Sequence, residues 1–361
     1  MPLLSTEPVT AGRPPRPRSK PWVQPLLLLL RLAVTGVGVG VLVGSGLKVL
    51  APRFAQGGGL GVPAIDPAPR RLPGGGPGLG RFEPRRELAG LSRRWATLAA
   101  AQKGLTASGY LLVLDDGRYA ELKPDLALPA ASSIKTPILL VGLQDLDAGR
   151  LRWNESLPMT KEVVGGGAGW MGNRPVGTRF PFHEAATEMI RVSDNTATNL
   201  LIKRLGGKTV LNRRFQALGL GATVVNNWLP DLEGTNTTSA RDLARAIAVV
   251  DTGETISPRA RDLFREILRT SRTNTLIPLG LLKGLGKDSS DPDGELLPLG
   301  VTVYNKTGDI GIAYSDAALI ELPNGQRAVA AFMVKGPFND PRSADLIRAM
   351  AGAAAPVLVG R

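Results

Sequence analysis

Three short groups of residues able to do covalent chemistry stand along this 361-residue chain: Ser132-Ser133-Ile134-Lys135, Ser193-Asp194-Asn195 and Lys306-Thr307-Gly308. A serine and a lysine three positions apart lie one helical turn from each other on one face, so the amine reaches the hydroxyl and can take its proton. That spacing alone says little. At ordinary residue usage it recurs by chance about once in a chain of this length. Singly, each group also has a plainer use: Ser132 as a helix cap beside a solvated Lys135, Asp194 or Asn195 as the cap of a helix at Thr196, and Lys306 as the guard of a strand edge. The conjunction outweighs these uses because each group falls where chemistry needs it. Ser132 stands at a helix start, Ser193 to Asn195 fill a break between two helices, and Lys306 to Gly308 end a strand, where glycine lets a substrate approach the backbone closely. Competing chemistry is scarce. The chain has no Cys and one His, His183, so thiol nucleophiles, disulfides, Cys-ligated metals, multi-His metal sites and a Ser-His-Asp triad lose support. No metal and no cofactor are expected, and His183 reads as a local structural residue.

The elements that must hold these groups follow from periodicity. Residues 87–102 have helical apolar spacing. Tyr110 to Leu114 and Tyr119 to Leu122 read as strands joined across Asp115-Asp116-Gly117. A helix is expected from about Ser133 to Asp147, then helices over Phe182 to Arg191 and Thr196 to Arg204, in a centre read as all helical. Gly300 to Lys306, Ala313 to Leu322 and Gln326 to Val334 are strand-like, the last two joined at Asn324-Gly325, and Arg342 to Ala354 reads as a final helix. Strands from both chain ends are therefore expected in one antiparallel sheet flanked by helices, an α+β arrangement with a separate helical lobe.

The formal charge of +13 is unevenly placed. Residues 1–80 hold nine basic groups against Glu7 and Asp66, whereas the other 281 residues share 35 basic and 29 acidic groups. The excess sits in a tail and the aromatic content is only 5%, which argues against nucleic acid as a partner. Residues 26–47 read LLLLLRLAVTGVGVGVLVGSGL, which at 1.5 Å per residue spans about 33 Å, enough for a bilayer core. Basic residues precede this stretch, so residues 1–25 are expected in the cytoplasm, 26–50 as a membrane signal-anchor, and the rest outside. A cleaved signal peptide is the competing reading. Residues 51–84 are rich in Pro and Gly and read as a flexible tether to a domain over 85–361.

The three groups, together with PAASSIKTP, RVSDNTATNLLIKRLGG, TNTTSARDLA and KTGDIGIAYSDAALI, resemble the penicillin-recognising serine hydrolases, and within them the class A β-lactamases. The resemblance covers about residues 85–361. It implies that Ser132 is the acylated nucleophile and Lys135 its proton acceptor. It further implies that Ser193 passes a proton to the leaving nitrogen, that Asn195 holds Lys135 and the substrate amide, and that Lys306, Thr307 and Gly308 line the site of the substrate carboxylate. Backbone N–H groups of Ser132 and Asp309 would form the oxyanion hole. The implied reaction is β-lactam hydrolysis by a monomer. The alternatives are a D-Ala-D-Ala-type peptidase or esterase of the cell envelope, and a penicillin-binding sensor that does not turn over.

Two departures from the family pattern bear on turnover. In the family a Glu within a Trp-Glu-Pro-x-Leu-Asn run activates the water that frees the acyl-enzyme; here the run is Trp228-Leu229-Pro230-Asp231-Leu232-Glu233. Leu229 takes the place of the Glu and Glu233 that of the Asn, so Glu233 is the expected substitute base. The loop is short, with three residues between Glu233 and Thr237. Asp309 stands where the family has a small residue, and a carboxylate facing the site would repel a substrate carboxylate.

Overall fold

The computed structural model describes residues 82–360. The basic tail and the apolar stretch 26–50 lie outside the described residues, as does all of the 51–84 tether except 82–84; among the described residues no helix is long and apolar enough to cross a membrane. The domain is built on strands β1 (Arg86–Glu87), β2 (Thr106–Val113), β3 (Arg118–Leu122), β8 (Thr302–Asp309), β9 (Ala313–Glu321) and β10 (Arg327–Lys335). They form one sheet in the order β1-β3-β2-β10-β9-β8, so the first strands of the domain pair with the last. Between β3 and β8 come β4 (Leu128–Pro129), β5 (Ser156–Pro158), β6 (Arg179–Pro181) and β7 (Thr237–Thr238).

The central strands read as unbroken apolar runs because both sheet faces are covered. Along β2, Tyr110 and Leu112 enter one core while Leu111 and Val113 enter the other; along β10, Val329, Ala331 and Met333 alternate in the same way with Ala328, Ala330 and Phe332. Helices α1 (Ala89–Ala100), α8 (Ile277–Gly284) and α10 (Pro341–Val359) cover one face, with α9 (Pro292–Leu296) beside them. The other face carries α2 (Lys135–Asp147), α3 (Phe182–Arg191), α4 (Asn195–Arg204), α5 (Gly207–Ala217), α6 (Ala240–Asp251) and α7 (Pro258–Arg269). Helix α2 is buried along nearly all its length, so its apolar residues surround it instead of forming one stripe.

Most expected elements are present, with four corrections. The sheet is mixed, since β1 runs parallel to β3; Arg85 and Arg86 N–H both donate to Gly117 O and draw the entering chain alongside that strand. The centre is not wholly helical, because β4 pairs with β7 and β5 with β6. The nucleophile segment begins with a 3-10 turn over Ala131–Ile134, and α2 starts only at Lys135. Finally, α10 continues to Val359 through Pro356, where burial of Ala354, Ala355 and Leu358 outweighs the lost hydrogen bond. The Asp115-Asp116-Gly117 and Asn324-Gly325 turns stand where expected, each with its glycine at positive φ, 76° and 78°.

Trp95 ties the α1 and α10 layer to the sheet. Its indole is fully buried, donates to Met350 O at 2.8 Å and meets Phe332 edge-on with centroids 5.1 Å apart. Trp95→Ala is expected to cost about 3–5 kcal/mol in urea unfolding, and Trp95→Phe, which keeps most of the volume, clearly less.

Candidate active site

The site is organised around the side chain of Lys135, which is fully buried at the start of α2. Its Nζ lies 2.7 Å from Ser193 O, 2.9 Å from Asn195 Oδ1, 2.9 Å from Ser193 Oγ and 3.0 Å from Ser132 Oγ. Ser193 O and Asn195 Oδ1 can only accept, and Asn195 Nδ2 donates to Gly166 O at 2.9 Å, which sets the amide's orientation. A neutral amine has two N–H bonds, and these two acceptors use both. The lone pair is then left facing the two hydroxyls, so Ser132 or Ser193 can donate a proton to Nζ. Burial favours the neutral amine. It pushes Lys135 well below the usual lysine value, the positive charge of Lys306 pushes in the same direction, and Asp194 opposes them.

Strained backbone aims the two hydroxyls. Ala131, just before Ser132, has φ +48°, and Ser193 has φ +59°, both left-handed conformations at non-glycine residues. At Ser193 this directs both the carbonyl and the hydroxyl to Lys135. Asp194 caps α4, accepting from Ala197 N at 2.8 Å through one oxygen and from Trp170 N and Met171 N at 2.7 and 2.8 Å through the other. It thereby holds the segment Gly165-Gly166-Gly167-Ala168-Gly169 against the site. A side chain at Gly169 would overlap Asp194, and one at Gly165 would press on Asn195 and Leu229, so this strap passes only because it is glycine. The strap went unassigned in the sequence reading, although GGGAG was its visible signal.

Lys306, Thr307 and Gly308 lie inside β8, which continues to Asp309. Lys306 is fully buried, donates to Thr307 O at 2.8 Å and is lowered to about 8 by burial, against the pull of Asp316. Thr307 Oγ1 donates to Thr273 Oγ1 at 2.6 Å. A Cβ on Gly308 would sit 2.5 Å from Ser315 Oγ and 2.8 Å from the backbone nitrogens of both Ser132 and Ser133. The glycine therefore admits the nucleophile turn itself against the strand, and it places Ser132 N beside the segment that carries Asp309 N. The Asp309 carboxylate turns to the β8–β9 turn, where Oδ1 accepts from Gly311 N at 2.7 Å.

Leu229 is buried in the core, and its backbone is held on both sides by Asn199, whose Oδ1 accepts from Leu229 N at 2.9 Å and whose Nδ2 donates to Leu229 O at 2.7 Å. Asn199 lies one turn after Asn195 on α4, a spacing legible in the sequence though its partner was not. Glu233 is exposed in the turn Asp231–Gly234 and has no side-chain hydrogen bond or ion pair among the described residues. The structure brings together Ser132, Lys135, Ser193, Asn195 and Lys306, and no hydrogen bond or ion pair among the described residues joins Glu233 to them. The carboxylate of Asp231 is used within the loop, by Thr235 Oγ1 at 2.8 Å and Asn236 N at 2.6 Å. His183 stacks on Trp153 away from these groups, and no cluster of three metal-ligating side chains occurs among the described residues.

The sequence profile of the beta-lactamase enzyme family matches residues 90–357. Among curated relatives, a beta-lactamase of Streptomyces albus G is 28% identical over 232 residues, 60% of this chain and 71% of that protein. A beta-lactamase of Streptomyces cellulosae is 30% identical over 169 residues, 43% of this chain and 53% of that protein. Among solved structures, PBP-A is 42% identical with a TM-score of 0.70 over 76% of this chain and 98% of that one, and a leucine-to-glutamate variant of it is known as an acyl-enzyme complex with penicillin G. With the profile spanning most of the domain, this chain belongs to the beta-lactamase enzyme family, as a serine hydrolase with the class A β-lactamase-like fold.

Proposed function

We propose that the domain is a penicillin-binding serine hydrolase that acylates readily on Ser132 and releases the acyl group slowly, with β-lactams and acyl-D-Ala-type peptides as the substrate class. The observation that carries this reading is the buried Lys135 Nζ, whose lone pair faces Ser132 Oγ at 3.0 Å once its two N–H bonds are taken. In acylation, Ser132 gives its proton to Lys135 as Oγ attacks the substrate carbonyl. Ser193, also on Nζ at 2.9 Å, then returns a proton to the leaving nitrogen. Lys306 and Thr307 take the substrate carboxylate, and N–H groups of Ser132 and Asp309 take the oxyanion.

Slow release rests on the loop. The place of the family's water-activating Glu holds the apolar, buried Leu229, and Glu233 is exposed to solvent. Acyl transfer to water then falls to Lys135 and Ser193. The acyl-enzyme that PBP-A forms as a leucine-to-glutamate variant supports the same substrate class. Efficient β-lactam hydrolysis, with Glu233 as the base, is the second reading, and it is favoured by the beta-lactamase names of the curated relatives. Export of the domain through residues 26–50 belongs to this proposal, supported by the length and apolarity of that stretch.

Three outcomes are expected. In time-resolved mass spectrometry with penicillin G, the protein forms a long-lived adduct, Ser132→Ala forms none, and Glu233→Gln loses its adduct at the unaltered rate; slower release in Glu233→Gln would restore Glu233 as the base. Acylation by penicillin G rises with pH as Lys135 becomes neutral and falls above about pH 8 as Lys306 loses its charge. Stopped-flow labelling at several pH values reads both limbs. A reporter active only outside the cytoplasm, fused after Arg361, is expected to be active, and silence there would reverse the topology.

A further inference from the structure

Asp316 is a fully buried carboxylate that the reaction steps above leave unused. It lies on β9 directly across from Thr307, so it shares the face of Thr307 and Asn305, while Lys306 points from the other side of β8 toward the nucleophile. Its hydrogen-bond donors are Ile277 N at 2.9 Å and Asn305 Nδ2 at 3.0 and 3.1 Å to its two oxygens. None of these carries a charge. Lys306 on its side is fully buried and donates only to a backbone carbonyl, that of Thr307. Among the described residues neither forms an ion pair, so two opposite charges are buried within one strand pair with no counter-charge nearer than each other. A buried charge without compensation is costly, and at low dielectric the attraction acts across the backbone between them.

Resting on the function proposed above, we infer that Asp316 is a positioning residue for substrate recognition: its anion is the counter-ion of the Lys306 ammonium and sustains that ammonium as the receptor for the substrate carboxylate. Burial lifts Asp316 to about 7 and lowers Lys306 to about 8, each drawn back by the other's charge. The further charged groups acting from the elements packed around them are Lys135 at the start of α2 and Asp194 at the head of α4, whose effect falls on Lys135. Through Asn305 Nδ2, which also donates to Thr273 O at 2.9 Å, and through Ile277 N, the carboxylate is held by the segment leading into α8, outside the reacting centre.

The test compares acylation of the full chain by penicillin G and by its methyl ester, which keeps the reactive ring and lacks the carboxylate. In Asp316→Asn the rate with penicillin G at pH 8 is expected to fall about fivefold, the loss of protonated Lys306 that a drop of one pKa unit from about 8 causes at that pH, while the ester rate changes less than about twofold. The alkaline limb seen with penicillin G moves to lower pH, because an ammonium without its counter-ion loses its proton sooner. Equal losses with both probes, or an unmoved limb, would make Asp316 a packing residue and overturn the inference. If the asparagine variant does not fold, Asp316→Ser, which retains an acceptor for Ile277 N, is read by the same ratio. Failure of both variants to fold also overturns it. A parent protein that no penicillin acylates removes the functional reading itself, a result distinct from any of these.

Discussion

The rest of the site depends on keeping one amine out of water. Lys135 would be protonated and useless as a base if solvated, and burying it costs free energy unless its polar atoms are matched. The fold meets both demands with two acceptors that take its N–H bonds and two hydroxyls that face its lone pair. Each of those partners needs its own support. Ser132 stands on a 3-10 turn entered through a left-handed Ala131, Ser193 is itself left-handed, and Asn195 is oriented by Gly166 O. The strain is local and is held by the core behind it, since α2 is buried from Lys135 to Leu143.

A second lysine makes the first more effective. Lys306 approaches from β8 on the sheet side, where Gly308 allows the strand to press against the nucleophile turn. Its positive charge adds to burial in disfavouring protonated Lys135, and the same charge suits it to receive an anion. One buried cation thus disfavours the charge on another, because the sheet and the helical layer meet at the start of α2.

The glycine strap and the loop after α5 close the site from the helical side. Asp194 accepts from Ala197 N at the cap of α4 and from Trp170 N and Met171 N, which makes it the clasp of the strap. Asn199 and Asp231 fix the loop in a similar way. Leu229 is buried in the core, so the position after Trp228 supplies an apolar side chain and no carboxylate.

What the sequence determined by itself was local or periodic. The Ser132–Lys135 spacing, the capping residue at Asp194, the glycine turns at Gly117 and Gly325, and the apolar runs of β2, β9 and β10 can be read in a few residues, because turns of helix, caps and alternation depend on near neighbours. Those signals sufficed for the α+β class and for a serine hydrolase, though not for the parallel pairing of β1 with β3. Tertiary structure decided what depends on groups far apart in the chain. Lys135 is held buried because residues 58 and 60 positions later surround its Nζ, a contact its own segment does not encode. The reason for Gly308 is the backbone of Ser132 and Ser133, the direction of Asp309 is set by Gly311, and the placement of Leu229 follows from how Asn199 grips its backbone. In the sequence Asp316 is one carboxylate within a strand-like run, with no sign of a partner. Only the pairing of β8 with β9 sets its charge beside Lys306, since burial and electrostatic coupling are properties of the packed chain.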